Sequence, residues 1–246
     1  MWKYFVNIVL KLGFYILYKV PQIYYVYWKR HKFSEEYKYN FIRKIMLRVN
    51  RAFNVEYHIE GLENIPTNQT YVLFPNHQSN FDPLALVTVI DKPIQFIGKK
   101  EVQKMFLVGK AFEILNSIYL DRDNLRASLE TMKECQRRIK EDHTNFVIFP
   151  EGTRTRKEDR RMNDFKPGAF KSACNGQASI VPVMLNGTYR VLNKKIKKKV
   201  YRVDIKFLKP ISYEEYKDIS TADLALHVHN LVEEELEKSF ISNPSE

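Results

Sequence analysis

The chain is poor in features that mark secreted, metal-binding and repetitive proteins. It has two cysteines in 246 residues, Cys135 and Cys174, too few for a disulfide framework and typical of a reducing compartment. No internal repeat is found, and no Cys or second His lies at a metal-site spacing from His77. What remains is an ordinary globular composition with 44% hydrophobic and 28% charged residues.

An unbroken apolar run of spanning length is also missing. Between Leu12 and Trp28 the only charge is Lys19, but Pro21 interrupts the run, whereas a spanning helix needs roughly 20 continuous apolar residues. Tyr and Lys stand where a signal peptide would have small residues. This pattern disfavours a simple transmembrane span and a cleaved signal peptide. It favours two short helices, broken near Pro21, that dip into one leaflet.

Positive charge, in contrast, is plentiful and unevenly placed. The net charge is +11, and residues 1–50 hold ten basic residues against Glu35 and Glu36, a balance of +8. Nucleic acid is one candidate partner. No nucleic-acid-binding module is recognisable, however, and the same segment is rich in aromatic residues. We therefore expect an anionic phospholipid surface as the partner, and no nucleic acid.

The aromatic residues of this segment suit the headgroup region of a membrane, where amphipathic rings are favoured. They are Trp2, Tyr15, Tyr18, Tyr24, Tyr25, Tyr27 and Trp28. Lys29, Arg30 and Lys32 would then meet lipid phosphates; the alternative is an aromatic helix packed on the core. We predict an interfacial helical segment over residues 1–50 and a peripheral, monotopic protein on the cytoplasmic face of the cell membrane.

Residues 51–246 are predicted to form one α/β domain, because short β-type runs alternate with helical patterns. The predicted strands are Val55–Glu60, Thr70–Phe74, Ile94–Gly98, Ser117–Leu120, Asn145–Phe149, Ala178–Met184 and Val200–Leu208. Two amphipathic helices are predicted, over Asn124–Glu141 and Thr221–Phe240. The apolar face of the first comprises Leu125, Leu129, Met132 and Ile139.

A polar turn, Asn76–Asp82 (NHQSNFD), follows the second predicted strand. Asp82 precedes Pro83, which predicts a helix with Asp82 as N-cap and Pro83 at the first helical position. His77 then lies on the turn, where the chain can fold back so that the Asp82 carboxylate meets one imidazole nitrogen. That contact would leave the other nitrogen as a general base. The simpler alternative is a helix cap beside an ordinary turn histidine.

A second polar loop, Glu151–Arg154 (EGTR), follows the strand that ends at Pro150. Gly152 permits a close backbone approach, Thr153 adds a hydroxyl, and Arg154 can hold a phosphate through two hydrogen bonds. Glu151 can orient Arg154 or accept from a substrate hydroxyl. The loop is therefore a candidate anion site at a strand end, where ligands of α/β sheets bind. Arg156, Lys157, Arg160 and Arg161 continue the charge and are interpreted as solvated.

Three further segments bear on the site. Arg122 follows the predicted strand that ends at Leu120 and is a candidate second phosphate contact. Pro182, inside an apolar strand, requires an edge or irregular position. The basic run Lys194–Lys199 is interpreted as a solvated hairpin tip; the alternative is contact with phospholipid or an acidic carrier protein.

In this order, these motifs resemble the glycerolipid acyltransferase family, in particular its bacterial 1-acyl-glycerol-3-phosphate acyltransferases. Asn76–Asp82 matches the NHxxxxD block, and Phe149–Arg154 (FPEGTR) matches the EGTR block. The segment from Lys100 to Arg122 resembles the second block, and Val181–Val183 the last. The likeness covers roughly residues 55–210. The first and third blocks are specific when they occur together, and neither is specific alone.

The resemblance implies a mixed sheet flanked by helices, with an N-terminal two-helix membrane motif. It implies that His77 is the general base and Asp82 its orienting partner. Glu151, Gly152 and Arg154, with Arg122, would bind the glycerol phosphate. The implied enzyme transfers a fatty acyl group from a thioester of coenzyme A or acyl carrier protein to the free hydroxyl of a lysophosphatidate, and makes phosphatidic acid.

We expect no bound cofactor and no metal, because a thiolate leaves readily. Acyl carrier protein is a further candidate partner. Alternative functions are acylation of glycerol 3-phosphate or of another lysophospholipid, lipid hydrolysis, and membrane binding without catalysis. Ser79 lacks the flanking glycines of a hydrolase nucleophile elbow.

Overall fold

A mixed seven-stranded sheet forms the centre of the molecule. The computed structural model describes residues 2–155, 162–193, 196 and 198–242, without the side chains of 2–11 and 242. Within these residues the strands are β1 Val55–Glu60, β2 Tyr71–Pro75, β3 Gln95–Lys99, β4 Ile118–Leu120, β5 Phe146–Val147, β6 Ser179–Asn186 and β7 Tyr201–Phe207. Their order is β1-β7-β6-β2-β5-β3-β4. β6 and β7 are antiparallel, and the other neighbours are parallel.

Helices cover both faces of the sheet, which confirms the predicted α/β fold. They are α1 Trp2–Trp28, α2 Glu35–Phe53, α3 Asp82–Val89, α4 Val108–Ile114, α5 Leu125–Lys140, α6 Pro167–Gly176, α7 Thr188–Val191, α8 Tyr213–Tyr216 and α9 Thr221–Ser242. One face packs α1 to α4 on the sheet through residues such as Ile23, Ile42 and Leu86. The other packs α5, α6 and α9 through residues such as Cys135 and Phe170.

All seven predicted strands are present, and their ends differ by at most a few residues, as is usual for such assignments. The largest difference is at Asn145–Phe149, of which only Phe146–Val147 is strand. The Ile148 amide still donates to the Leu73 carbonyl at 3.0 Å. The chain therefore stays against β2 up to the EGTR loop.

Pro182 occupies an irregular position, but inside the central strand β6 rather than at an edge. Regular pairing of β6 with β7 begins at Val183. At Pro182 only one bond remains, from the Leu208 amide to the Pro182 carbonyl at 2.9 Å. Because proline has no N–H to return a bond, pairing with β7 stops there.

The N-terminal helix is not broken at Pro21, so that detail of the prediction is wrong. α1 continues through Pro21 to Trp28. Pro21 lies on the exposed side of α1, while Ile16 before it and Ile23 and Val26 after it pack on the core. Packing therefore holds the helix on both sides of the proline. The break between the two helices lies instead over residues 29–34. The Ser34 side chain caps α2 by accepting from the Tyr37 amide at 3.2 Å.

The N-terminal helices and the sheet share one hydrophobic core. α2 continues past residue 50 to Phe53, and Tyr39 and Ile45 are buried in the same cluster as Phe96 and Val183. Among the described residues, no helix has the length and apolar content needed to cross a bilayer.

The apolar face predicted for α5 is half wrong. Ile139 is buried and Met132 partly so, but Leu125 and Leu129 are exposed, Leu125 at 77%. The buried positions are instead Cys135 and Ile139, and Ser172 of α6 packs here by donating to the Met132 carbonyl at 2.9 Å. The start of α5 is held at β4 through polar side chains instead: Ser128 donates to the Asp121 carbonyl, and Thr131 to the Tyr119 carbonyl at 3.1 Å.

Candidate active site

His77 and Asp82 meet at the carboxyl end of β2. His77 Nδ1 lies 2.7 Å from Asp82 Oδ2, and the Asp82 side chain is fully buried while 19% of the His77 side chain is exposed. The same oxygen accepts from the backbone amides of Gln78 at 2.8 Å and Ser79 at 3.0 Å. A carboxylate fixed by two amides favours the tautomer with the proton on Nδ1 and leaves Nε2 as the free lone pair.

The capping role predicted for Asp82 is wrong in detail. α3 begins at Asp82 itself, and Phe81 is the residue before it. The carboxylate turns back to the amides of the preceding turn and does not cap the amides of α3. Pro83 in the first helical turn has no N–H to be satisfied. The helix start therefore leaves Asp82 available to His77.

The EGTR loop lies beside this pair because β5 and β2 are parallel neighbours. The Glu151 side chain points inward and the residue is 1% exposed. Its Oε1 accepts from the His77 amide at 2.6 Å, and the Thr155 amide donates to the His77 carbonyl at 2.8 Å. Both backbone polar groups of His77 are thus held by the EGTR loop and the residue that follows it.

The second oxygen of Glu151 is also fully engaged. Glu151 Oε2 accepts from Thr155 Oγ1 at 2.8 Å, from the Asn163 amide at 3.0 Å and from Asn163 Nδ2 at 2.7 Å. We call Glu151, Thr155 and Asn163 the clasp, because together they fix the backbone at His77. Sequence reasoning missed Thr155 and Asn163, since a lone Thr or Asn in a polar loop carries no pattern.

Gly152 has a φ of +69°, a conformation that favours glycine over other residues. A Cβ at this position would lie 3.2 Å from Lys166 Nζ, so the Lys166 ammonium is directly over the loop. Thr153 is exposed and Arg154 half-buried. No hydrogen bond joins the Arg154 guanidinium to any described residue. The loop therefore presents the Arg154 and Lys166 cations, of which Lys166 was not identified from the sequence.

Arg122 is exposed and lies further away, two residues beyond the end of the edge strand β4. Strand order puts three strand spacings between β2 and β4, or about 14 Å. Arg156, Lys157, Arg160 and Arg161 lie outside the described residues, as do Lys194, Lys195 and Lys197 of the basic run.

Neighbouring side chains hold the base in place. The His77 ring stacks on Phe149, with centroids 4.1 Å apart and planes inclined by 29°. Asn76 pairs through both amide atoms with the Leu185 backbone, at 2.9 and 2.7 Å. Gln78 Oε1 accepts from the Gly187 amide at 3.1 Å. The turn is thus tied to β5 on one side and to the end of β6 on the other.

No group of three His, Cys, Asp or Glu suited to a metal ion occurs within the described part of the chain. A cavity of about 640 Å³ lies over β1 and β7, away from His77. Ion pairs already join groups in its lining: Lys206 lies 3.1 Å from Glu60 and 2.7 Å from Glu235. These ionisable groups of the lining are thus already paired, and the candidate site remains the one at His77.

Comparisons with known proteins identify a family and several similar sequences. A family model described as Acyltransferase matches residues 56–186, slightly more than half of the chain. The 1-acyl-sn-glycerol-3-phosphate acyltransferase of Haemophilus influenzae is 30% identical over 195 residues, covering 76% of this chain and 80% of that protein. A probable 1-acyl-sn-glycerol-3-phosphate acyltransferase of Mycoplasma pneumoniae is 30% identical over 201 residues, covering 74% of each.

The fold also matches a solved structure. The crystal structure of the 1-acyl-sn-glycerophosphate acyltransferase PlsC from Thermotoga maritima superposes with a TM-score of 0.76, at 23% identity, over 95% of both chains. At this identity the likeness concerns the fold. The family match and the two bacterial relatives lead to one assignment: the chain belongs to the acyltransferase family.

Proposed function

We propose that this protein transfers a fatty acyl group from a thioester to the free hydroxyl of 1-acyl-glycerol 3-phosphate and makes phosphatidic acid. The observation that carries the proposal is the 2.7 Å His77–Asp82 contact, held by Glu151 against a cationic loop. The names of the relatives in Haemophilus influenzae and Mycoplasma pneumoniae support the choice of acceptor.

His77 acts as the general base. Its Nε2 takes the proton of the acceptor hydroxyl as the oxygen attacks the thioester carbonyl. Asp82, which holds Nδ1, stabilises the imidazolium that results. When the tetrahedral intermediate collapses, the carbon–sulfur bond breaks and the thiolate takes the proton from His77. The ester forms directly, without a covalent enzyme intermediate.

The acceptor is positioned through its phosphate. Arg154 forms two parallel hydrogen bonds to the phosphate oxygens, and Thr153 with the backbone at Gly152 completes the cradle. Lys166 adds positive charge above Gly152. Arg122 contributes from the end of β4. Glu151 acts as a positioning residue, because both its oxygens are bound to protein donors.

The donor is a thioester of coenzyme A or of acyl carrier protein. Thiolates are good leaving groups, so no bound cofactor takes part in the step. Basic surface residues such as Lys198 and Lys199, part of the run between β6 and β7, are a candidate contact for an acidic carrier protein.

Substrate reaches the site from a membrane surface on which α1 lies. An exposed apolar stripe runs along α1, with Phe14, Tyr18, Pro21, Tyr25 and Trp28 at intervals of three or four residues and Leu17 beside them. The opposite face packs on the core, and the stripe stays exposed although Tyr25 contacts the Phe33 ring, with centroids 6.2 Å apart. Lys29, Arg30 and Lys32 follow it and suit anionic headgroups. We assign a peripheral, monotopic position on the cytoplasmic face of the cell membrane.

The placement of the aromatic residues refines this assignment. Tyr18, Tyr25 and Trp28 are exposed on the stripe, and Tyr24 contacts Trp28 with ring centroids 5.6 Å apart. Tyr15 and Tyr27 pack against the core instead. Each of the three exposed rings can thus lie at headgroup depth.

The proposal is tested by mass spectrometry of the lipid products of purified protein. The protein receives lysophosphatidate, glycerol 3-phosphate and other lysophospholipids together, with both donor types. We expect phosphatidate as the product, and loss of transfer in His77→Ala. His58→Ala is the matched control, because His58 is exposed on β1. Near-normal transfer by His77→Ala would refute the mechanism, and free fatty acid without a lysolipid would indicate a hydrolase.

A further inference from the structure

A second apolar surface emerges from the loop between β3 and α4. Phe106 is 71% exposed, and its neighbours Met105 and Val108 are exposed to 45% and 43%. Three apolar side chains exposed within four positions of the chain are typical of a surface that meets a partner. We call these three residues the apolar loop.

The backbone of the apolar loop is built to hold this arrangement. Leu107 has φ +58° and ψ −39°, a conformation that costs a leucine energy. It turns Leu107 inward onto the core, while Phe106 on one side and Val108 on the other stay outside. The unfavourable conformation therefore serves to present the flanking apolar side chains.

The backbone amides on either side of the tip of the apolar loop are bonded locally, whereas the Phe106 and Leu107 amides have no hydrogen-bond partner among the described residues. The Met105 amide donates to the Val102 carbonyl at 3.0 Å, the Val108 amide to the Phe106 carbonyl at 2.7 Å, and the Gly109 amide to the Met105 carbonyl at 2.9 Å.

Position and charge point to the same partner. β3 is parallel to β5 and β5 to β2, so the apolar loop leaves the sheet at the edge that carries His77. α4, which follows the loop, packs on α1, and Lys110 Nζ lies 3.9 Å from the ring centroid of Tyr27. Residues 99–110 hold four lysines against Glu101, which suits anionic headgroups.

We infer that the apolar loop inserts into the phospholipid surface as a second contact beside α1 and places the edge that carries His77 against the lipid. The inference rests on the membrane association proposed for α1. Two separated insertion points fix the orientation of the protein on the bilayer, whereas α1 alone leaves rotation about its own axis free.

The test is binding of the full chain to vesicles of phosphatidylethanolamine and phosphatidylglycerol, measured by sedimentation. No acyl donor is added, so the result does not depend on whether transfer occurs. We expect Phe106→Ser to weaken binding by at least ~10-fold, since an exposed phenylalanine loses its burial in lipid. The matched control is Leu226→Ser, an exposed residue of α9 on the opposite face of the sheet, which leaves binding unchanged.

Unchanged binding of a folded Phe106→Ser, or an equal loss in Leu226→Ser, would overturn the inference. So would a change in oligomeric state of Phe106→Ser without vesicles, which would identify a second copy of the chain as the partner. Should Phe106→Ser fail to fold, Phe106→Trp supplies the measurement. Its fluorescence, less that of the unsubstituted protein, is expected to be quenched by brominated acyl chains, and absence of quenching contradicts insertion.

Discussion

The Glu151 clasp predicts that removing one negative charge affects stability and catalysis together. In Glu151→Gln the shape is kept, but one of the two carboxylate oxygens becomes an NH₂ group that cannot accept. The remaining oxygen stays on the side of the three donors from Thr155 and Asn163. The NH₂ group then faces the His77 amide, so that two donors lie 2.6 Å apart. The His77 amide loses its partner in a buried position.

The size of the effect follows from these contacts. A hydrogen bond to a charged group contributes about 1.5–3 kcal/mol, and a buried unsatisfied donor costs a similar amount. We expect the free energy of unfolding to fall by about 3 kcal/mol. Two facing donors also push His77 away from its position, and a displacement of about 1 Å lowers kcat by roughly 10²-fold.

Denaturant unfolding and steady-state transfer kinetics of the same preparation measure both effects. Glu130→Gln is the control, because Glu130 forms an exposed ion pair with Arg126 at 3.3 Å, and such pairs contribute about 0–1 kcal/mol. The reasoning is refuted if Glu151→Gln unfolds like the unsubstituted protein and only its KM for lysophosphatidate rises. That result would show that Glu151 binds the acceptor directly.

Other substitutions and reagents test the remaining parts of the structure. Asp82→Asn should lower kcat by roughly 10²–10⁴-fold, since His77 loses the charge that orients it. The KM for the thioester donor and the KM for lysophosphatidate should change little. Gly152→Ala places a Cβ at φ +69° and should lower the melting temperature and raise the KM for lysophosphatidate, as calorimetry and kinetics will show. Burial raises the pKa of Cys135 to about 12, so a thiol reagent at pH 8 should leave Cys135 unmodified until the protein unfolds. Leu125→Glu should change the free energy of unfolding by less than about 0.5 kcal/mol, because Leu125 is exposed.

The strands were predictable from sequence because β-rich runs end in strong local signals. Pro75 ends one buried strand and Pro150 lies shortly after another, and each is followed by polar residues. Parallel neighbours then bring both polar turns to one edge of the sheet, which is why the two motifs could be expected to form one site.

Features that depend on packing between distant segments were not predictable in the same way. Pro21 has a strong local preference to end a helix, but the core contacts of Ile23 and Val26 outweigh it. The start of α2 did carry a signal, since Ser34 precedes two acidic residues, a common helix N-terminus. Asn163 left no such signal, because its role exists only once the loop folds back onto Glu151.

The clasp also explains why the two motifs occur together. If the EGTR loop only bound phosphate, Glu151 would be a poor choice, because its negative charge opposes an anionic ligand. Burial beneath the loop and hydrogen bonds from Thr155 and Asn163 turn that charge away from Arg154 and towards the backbone of His77. The loop can thus attract the phosphate with Arg154 while Glu151 fixes the base. Because Glu151 and Arg154 belong to one short loop, movement of that loop on binding phosphate at Arg154 is expected to move His77 as well, through the bond between Glu151 and the His77 amide.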